Sequence, residues 1–447
     1  MSRSSAARRV ARRVAPAVLA WLGSVHGQSA EPGASSEPIP SLAELEGEPL
    51  GASEPSLPAA ETPTGLALYG FADVGFYKIF MPPGSLLRAQ LLGKSAFAVG
   101  NLNTYLSSEL GAGWRSLIEI RFTYLPNGSR AITDSGIERV STATQDYTNA
   151  GRVRNTGSIF IERAWVEYSA SAALNLRAGS WLTPYGIWNE DHGSPTIIPV
   201  SRPYVIGLEL LPERQTGLLL FGSFYASDSV TLRYQLGLSN GRSPIQDYGD
   251  LDENKAVTLR LQLHHHGAGD LELGATGYAG RSTDLDQVIR ANGNSLGIEE
   301  QLRQRYDETS WALDARYVRG GLHLQTELIM NERAYADGGR PVRTATQFQP
   351  DDHRYGGYVL AGYRFDWLGI MPFFAADYFS PVNTFEPTRP ATRDVFVDFG
   401  LGINARPTTN ITLKLEGNLG VFDVENARGS AFEDPLFAIQ AQVAWAF

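Results

Sequence analysis

The chain contains no cysteine, only four lysines and, beyond its N-terminal segment, no run of about 18 apolar residues. The lack of cysteine is consistent with export into an oxidising compartment. The lack of a long apolar run predicts that no helix of the exported part crosses a membrane. The formal net charge is −10, and no basic stripe is available to bind phosphates along a groove. We therefore do not expect a nucleic-acid partner.

Alternation between apolar and polar residues is the feature that the sequence does contain, and it is clearest in residues 437–447. One face of an extended strand there would carry Phe437, Ile439, Ala441, Val443, Trp445 and Phe447, and the other face only small or polar residues. In a soluble sandwich the polar face would contact bulk water, whereas in an outer-membrane barrel the apolar face would contact lipid. The ending resembles that of outer-membrane β-barrel proteins, whose terminal strand is recognised by the barrel assembly machinery. This resemblance implies that Trp445 and Phe447 belong to an assembly signal.

The same alternation recurs along the chain from residue 66 onwards. A buried unpaired charge costs several kcal/mol, so arginines and glutamates on one face of nearly every strand predict that this face is solvated. The predicted strands span 66–80, 102–110, 114–124, 159–168, 174–182, 217–225, 230–239, 256–264, 271–280, 310–319, 322–331, 355–365, 370–379, 394–404, 411–420 and 437–447. They number about sixteen, an even count as a closed bacterial barrel requires.

The connections between these strands alternate strictly between hairpin turns and loops of roughly 15 to 35 residues. Short periplasmic turns and long outer loops are typical of outer-membrane barrels. The sequence therefore predicts an all-β, antiparallel transmembrane β-barrel over residues 65–447, in the outer membrane of a Gram-negative bacterium. A barrel of this size encloses an aqueous channel, so we expect a porin.

Two segments precede the barrel. Residues 1–30 combine five arginines with a short apolar stretch and a region of small residues, which predicts a signal peptide. Residues 31–64 are rich in Pro, Ser, Glu, Ala and Gly and have too few large apolar side chains to form a core. We expect them to form a disordered periplasmic linker.

The predicted loop 183–216 is unusually apolar for an exposed loop. Apolar loop residues favour burial, so this loop is expected to fold into the lumen and narrow the pore. The alternative is a loop that caps the outer rim or packs on a neighbouring subunit. The candidate constriction residues are Trp188, Glu190, Asp191, His192 and Arg202.

Residues 161–168, 176–189 and 234–242 together resemble the phosphate-selective porin O and P family. The resemblance implies a sixteen-stranded homotrimer, surrounded by outer-membrane lipid and lipopolysaccharide. It also implies passage of anions such as phosphate along a ladder of arginines and lysines.

The charges expected to line the pore depart from that pattern, because only Lys414 among the lysines has a clear lumen position. The other basic candidates are Arg115, Arg121, Arg163, Arg177, Arg233, Arg260, Arg316 and Arg364, and the acidic ones include Glu119, Glu327 and Asp377. The two signs nearly cancel, with most arginines in the first eight strands and most acids in the later eight. We therefore expect opposed charged walls and a general or weakly selective channel for small hydrophilic solutes or ions.

Three motifs raise the alternative of a barrel enzyme or metal protein. Ser239-Asn240-Gly241 resembles the motif of outer-membrane phospholipases, but the histidine that would activate the serine is replaced by Gly237. Residues 351–353 resemble acidic and histidine residues of outer-membrane proteases, whose barrels have fewer strands. Residues 264–266 are consecutive histidines, which alternate between strand faces. We expect no enzymatic activity, no cofactor and no metal.

A further alternative is a barrel with little or no conductance whose long loops bind a partner or adhere to a surface. Residues 125–157 and 280–309 are long enough for such loops, or for contacts within a trimer.

Overall fold

The structure is a computed structural model that describes residues 65–80, 95–123, 158–242, 250–292, 295–336, 338–339, 351–383, 392–393, 395–425, 431–432 and 435–447. The predicted signal peptide and periplasmic linker lie outside the described residues, as does the predicted loop 125–157. Within the described ranges, no helix has both the length and the apolar character needed to cross a membrane.

Within these described residues, eighteen β-strands form one antiparallel sheet. They are β1 (Leu66–Phe80), β2 (Ala96–Gly111), β3 (Trp114–Thr123), β4 (Ser158–Ser171), β5 (Leu174–Leu182), β6 (Arg214–Ser227), β7 (Val230–Ser239), β8 (Ala256–His266), β9 (Asp270–Asn292), β10 (Ser295–Arg319), β11 (Leu322–Tyr335), β12 (Asp352–Tyr363), β13 (Met371–Asn383), β14 (Thr392–Arg393), β15 (Val395–Thr408), β16 (Ile411–Glu425), β17 (Ala431–Phe432) and β18 (Leu436–Ala446). Because β14 and β17 have only two residues each, sixteen long strands form the wall, which confirms the predicted fold class. The described helices are one helical turn, α1 (Tyr204–Gly207), and a 3-10 turn at Trp367–Gly369.

The sheet closes between its first and last strands. Strand β18 pairs with β1 from Phe71 opposite Ala446 to Phe80 opposite Phe437. Beyond this ladder, Gly70 and Phe447 exchange two backbone hydrogen bonds of 2.9 Å. Phe447 therefore takes part in closing the barrel, and none of the sixteen long strands that the structure describes is an edge strand.

The two faces of the wall differ as the alternation predicted. In β7, Leu232, Leu236 and Leu238 are 41–49% exposed on the outside, whereas Arg233 is half-buried and Ser239 is buried on the inside. Aromatic side chains such as Trp114 and Tyr168, with ring centroids 4.9 Å apart, lie outside near the end of the barrel that carries the short turns. An apolar band edged by aromatic residues is the surface expected in contact with lipid.

The short turns occur where they were predicted, but several strands are longer. Strand β6 begins at Arg214 rather than at residue 217. The predicted loop 280–309 is wrong, because β9 and β10 continue through it as a paired hairpin with Ser295 opposite Asn292. Outside the lipid, a strand needs no apolar face, so backbone pairing can continue where the alternation of side chains ends.

Candidate functional site: the barrel lumen

Residues 183–213, here called the inner loop, connect β5 to β6 and lie inside the barrel. The loop begins and ends where Leu182 pairs with Arg214, at the barrel end opposite the short turns. Tyr185, Val205 and Ile206 of this loop are fully buried. They belong to one apolar cluster with residues of the wall, so the loop is enclosed by the barrel and does not cap its outer rim.

Apolar packing on the interior wall holds one side of the inner loop. The loop contributes Tyr185, Trp188, Ile198, Val205, Ile206, Leu210 and Leu211, and the wall contributes Ala256, Tyr278, Ala312, Ile329, Tyr358, Leu360, Met371, Phe373 and Phe379. The wall residues come from β8 to β13 and include large side chains at inward positions. Removal of this surface from water favours the folded-in position of the loop.

Carboxylates of the wall bind backbone N–H groups of the inner loop. Trp188 N donates to Glu327 Oε1 at 2.9 Å, and Ser201 N donates to Glu416 Oε2 at 3.0 Å. Tyr204 N donates to Asp377 Oδ2 at 2.5 Å. The three acids lie on β11, β16 and β13, so three strands of the wall supply acceptors for backbone donors of the loop.

Donors of the wall bind the carbonyl groups of the same loop. Within residues 195–199, carbonyl oxygens accept from Asn404 Nδ2 at 3.0 Å, Lys414 Nζ at 3.1 Å and Arg406 Nη2 at 3.0 Å. Together with the packing on β8 to β13, these bonds to β15 and β16 show that the loop crosses the lumen from one wall to the other.

Two of the predicted constriction residues form ion pairs with predicted pore-lining arginines. Glu190 Oε1 lies 3.4 Å from Arg260 Nε, and Asp191 Oδ2 lies 3.8 Å from Arg316 Nη1. The structure thus brings together loop acids and wall arginines that the sequence analysis had treated as separate groups.

The other three constriction candidates do not pair with these arginines and make other contacts. Trp188 is 4% exposed and packs in the apolar cluster. His192 Nδ1 lies 3.3 Å from the carbonyl oxygen of Asn189, within the loop itself. Arg202 Nη2 donates to Glu213 Oε1 at 3.0 Å, near the point where the loop joins β6.

Glu213 is held in its charged form. Burial alone would raise its pKa, but the positive charges of Arg202, His192, Arg214 and Arg121 outweigh burial and lower the pKa to about 2. The carboxylate therefore stays ionised throughout the neutral range and keeps its ion pair with Arg202.

The arginines of β3, β4 and β5 are paired with acids of the same strands. Arg163 Nε lies 2.6 Å from Glu119 Oε2, and Glu167 lies 2.7 Å from Arg115 and 2.8 Å from Arg177. Both glutamates are fully buried, and the Arg177 guanidinium lies 4.1 Å from the ring of Trp165. The prediction that the charged face is solvated is wrong at these positions, because opposite charges on neighbouring strands neutralise each other.

A β-bulge places Glu162 on the inner face of the wall, and the alternation of residues did not predict this position. The register between β3 and β4 shifts at Glu119, so Glu162 and Arg163 are both buried although they are adjacent in sequence. The Glu162 carboxylate lies 3.3 Å from Arg121 and 3.4 Å from Arg214. The bulge breaks the alternation, so the pattern assigned this residue to the outer face.

Arg260 on β8 is the most enclosed of the predicted pore-lining arginines. Its side chain is 1% exposed and makes two hydrogen bonds to Asp314, of 2.9 and 3.1 Å. A third bond of 3.0 Å reaches the carbonyl oxygen of Gly186 in the inner loop. Arg260 thus joins the wall to the beginning of the loop.

The remaining basic candidates differ in exposure. Arg233 and Arg316 are half-buried on the inner face, whereas Lys414 is buried beneath the inner loop. Arg364 follows β12 at the short-turn end and donates to the carbonyl oxygen of Gly369 at 2.9 Å. The predicted difference in charge between a basic and an acidic side of the wall is smaller than expected, because the arginines of the first strands have acidic partners beside them.

A cavity of about 380 Å³ remains beside the inner loop. Its wall comes from β1, β12, β13, β15, β16 and β18, and its other side comes from the loop. The lining includes Trp188 and Tyr204 of the loop and Asp377, Asp398 and Gln440 of the wall. The cavity lies inside the barrel, between the inner loop and one side of the wall.

No protein-family model matches the chain, so the resemblance to the phosphate-selective porin O and P family stays a prediction. An uncharacterized protein of Aquifex aeolicus (strain VF5) is 27% identical over 154 residues, or 32% of this chain. The match spans 33% of that relative, about a third of its length.

Solved structures share the fold over most of the chain. OmpT, an outer-membrane protein of Vibrio cholerae, superimposes with a TM-score of 0.51 at 10% identity, covering 87% of this chain and 99% of that one. The outer membrane channel DcaP of Acinetobacter baumannii gives a TM-score of 0.50 at 11% identity, with the same two coverages of 87% and 99%. The chain is therefore a closed sixteen-stranded barrel that resembles outer-membrane proteins of Gram-negative bacteria.

Proposed function

We propose that the protein is an outer-membrane porin, a water-filled channel through which small hydrophilic solutes or ions diffuse passively. The observation that carries the proposal is the inner loop, which crosses a sixteen-stranded barrel and leaves a cavity of about 380 Å³ beside it. A loop that narrows a wide barrel sets a size limit without closing the channel. The protein binds no cofactor and catalyses no reaction in this proposal.

A strict phosphate channel is not the function that we propose. Selection of phosphate needs several cationic donors that face the path and can replace the water around the ion. Arg163 and Arg260 instead lie buried against Glu119 and Asp314. Weak selectivity or general diffusion agrees better with this pairing.

The cellular context is part of the same proposal. Residues 1–30 direct export, the barrel assembly machinery recognises the ending with Trp445 and Phe447, and the barrel forms a homotrimer in contact with lipid and lipopolysaccharide. The position of Phe447 beside Gly70, where the barrel closes, supports a role for the last strand in assembly.

Single-channel recording in planar bilayers tests the proposal. Purified, folded protein should produce stepwise conductance that persists at low voltage and increases with salt concentration. Heat-unfolded protein from the same preparation is the control and should produce no steps. Folded protein without conductance would contradict the proposal and favour the alternative, a barrel whose outer parts, including the β9–β10 hairpin, bind a partner.

A further inference from the structure

We infer that the cavity beside the inner loop passes cations in preference to anions, and that Asp377 and Asp398 determine this preference. The inference rests on the proposed channel function and names the class of solute that the channel favours. It differs from the anion passage that the family resemblance implied.

Asp377 and Asp398 are directly opposite each other on β13 and β15, and both line the cavity. Like charges in directly opposed positions destabilise a sheet. Asp377 helps to hold the inner loop at Tyr204, but two like charges so close together cost stability, and they create a negative potential at the surface that they face.

The hydrogen-bond partners of the two acids are neutral. Asp377 Oδ2 accepts from the backbone N–H of Tyr204, and Asp398 Oδ2 accepts from Asn418 Nδ2 at 2.9 Å. The second oxygen of Asp377 is buried and accepts no hydrogen bond from the side chains that the structure describes. Among the described residues, no Lys, Arg or His forms an ion pair with either acid, so no fixed positive charge of these residues offsets the negative potential at the cavity.

The basic groups nearest to the cavity are already engaged. Arg202 is the one basic side chain among the described lining residues, and it forms an ion pair of 3.0 Å with Glu213. Lys414 is 4% exposed and donates to the carbonyl oxygen of Pro199, beneath the loop. The path beside the loop therefore presents more unpaired negative than positive charge, which attracts cations and repels anions.

Reversal potentials in a potassium chloride gradient measure the preference. For the wild-type protein we expect a potassium-to-chloride permeability ratio of roughly 3 or more, since charged clefts raise the local concentration of counter-ions. In the Asp377→Asn/Asp398→Asn variant the ratio should fall towards about 1, because the negative charge in the path is gone. The Asn side chain keeps an oxygen that accepts the Tyr204 N–H, so the loop should stay in place.

A matched control removes two acidic charges outside the cavity. The side chains of Asp307 and Glu332 are 62% and 52% exposed, and neither residue lines the cavity. The Asp307→Asn/Glu332→Gln variant should keep the wild-type permeability ratio. The single variant Asp398→Asn should give an intermediate ratio, and it tests the inference without touching the bond to Tyr204.

Two results would overturn the inference while leaving the channel function intact. One is a wild-type channel that conducts but favours chloride or shows no preference. The other is a cation preference that Asp398→Asn and the double variant leave unchanged. Absence of conductance in folded wild-type protein would instead overturn the proposed function and the inference together.

Discussion

A variant in which residues 185–211 are replaced by a short turn is expected to conduct more than the wild type in each single-channel step, by at least about twofold. The reason is that the inner loop occupies the lumen that a sixteen-stranded barrel would otherwise leave open. The change is feasible because Leu182 and Arg214 pair across neighbouring strands, so a hairpin turn can join them. Single-channel recording at fixed salt and voltage measures the effect.

The control for this variant leaves the inner loop intact and shortens the tip of the β9–β10 hairpin, where residues 287–300 are replaced with a turn. Asp286 and Gln301, which flank the replaced segment, are paired, so the remaining strands can again close with a turn. Conductance of this control should match the wild type. Equal conductance of the wild type and the loop-replaced variant, both shown to be folded by resistance to unfolding in detergent, would contradict a loop that limits the pore.

Replacement of Arg260 by Met is expected to destabilise the barrel by about 3–5 kcal/mol, as found when one partner of a buried ion pair is removed. Asp314 would lose both hydrogen bonds from the guanidinium, and the loop carbonyl of Gly186 would lose its donor. The free energy of unfolding, measured by urea denaturation in lipid vesicles or detergent, gives the size of the effect.

Two controls separate the buried ion pair from a general effect of lost charge. The Arg260→Met/Asp314→Asn variant should recover part of the stability, because no unpaired buried carboxylate remains at residue 314. The Arg281→Met variant should change stability little, since the side chains of Arg281 and its partner Asp307 are 38% and 62% exposed. Equal losses of stability in the variants at residues 260 and 281 would contradict a stabilising role of the buried ion pair.

Most of the wall could be predicted from the sequence because lipid and lumen impose opposite requirements on successive residues. A strand such as β7 must place Leu232 and Leu236 outside, so the period of two identifies both the strand and its faces. The β9–β10 hairpin shows the limit of this reasoning. Its outer part has no lipid to face, and backbone pairing alone leaves no pattern in the side chains.

The interior was harder to predict because pairing across strands depends on register. Arg163 and Glu119 are separated by 44 residues, and only the alignment of β3 with β4 brings them to 2.6 Å. Glu162 is inside because of a bulge that alternation cannot reveal. The apolar composition of the inner loop indicated that it is buried, but not that carboxylates such as Glu416 bind its backbone.

The position of the inner loop can be tested directly by a cysteine cross-link, since the chain has no cysteine of its own. Asn418 Nδ2 on β16 lies 3.1 Å from Ser201 Oγ of the loop, so cysteines at these two positions should be joined, loop to wall, by a short bis-methanethiosulfonate reagent, which forms a disulfide with each thiol, in outer membranes. The expected result is a cross-linked species of altered gel mobility, which reductant returns to the original mobility and which both single-cysteine variants lack. Folded protein in which both thiols stay unlinked and react separately with a bulky thiol reagent would contradict this position of the loop.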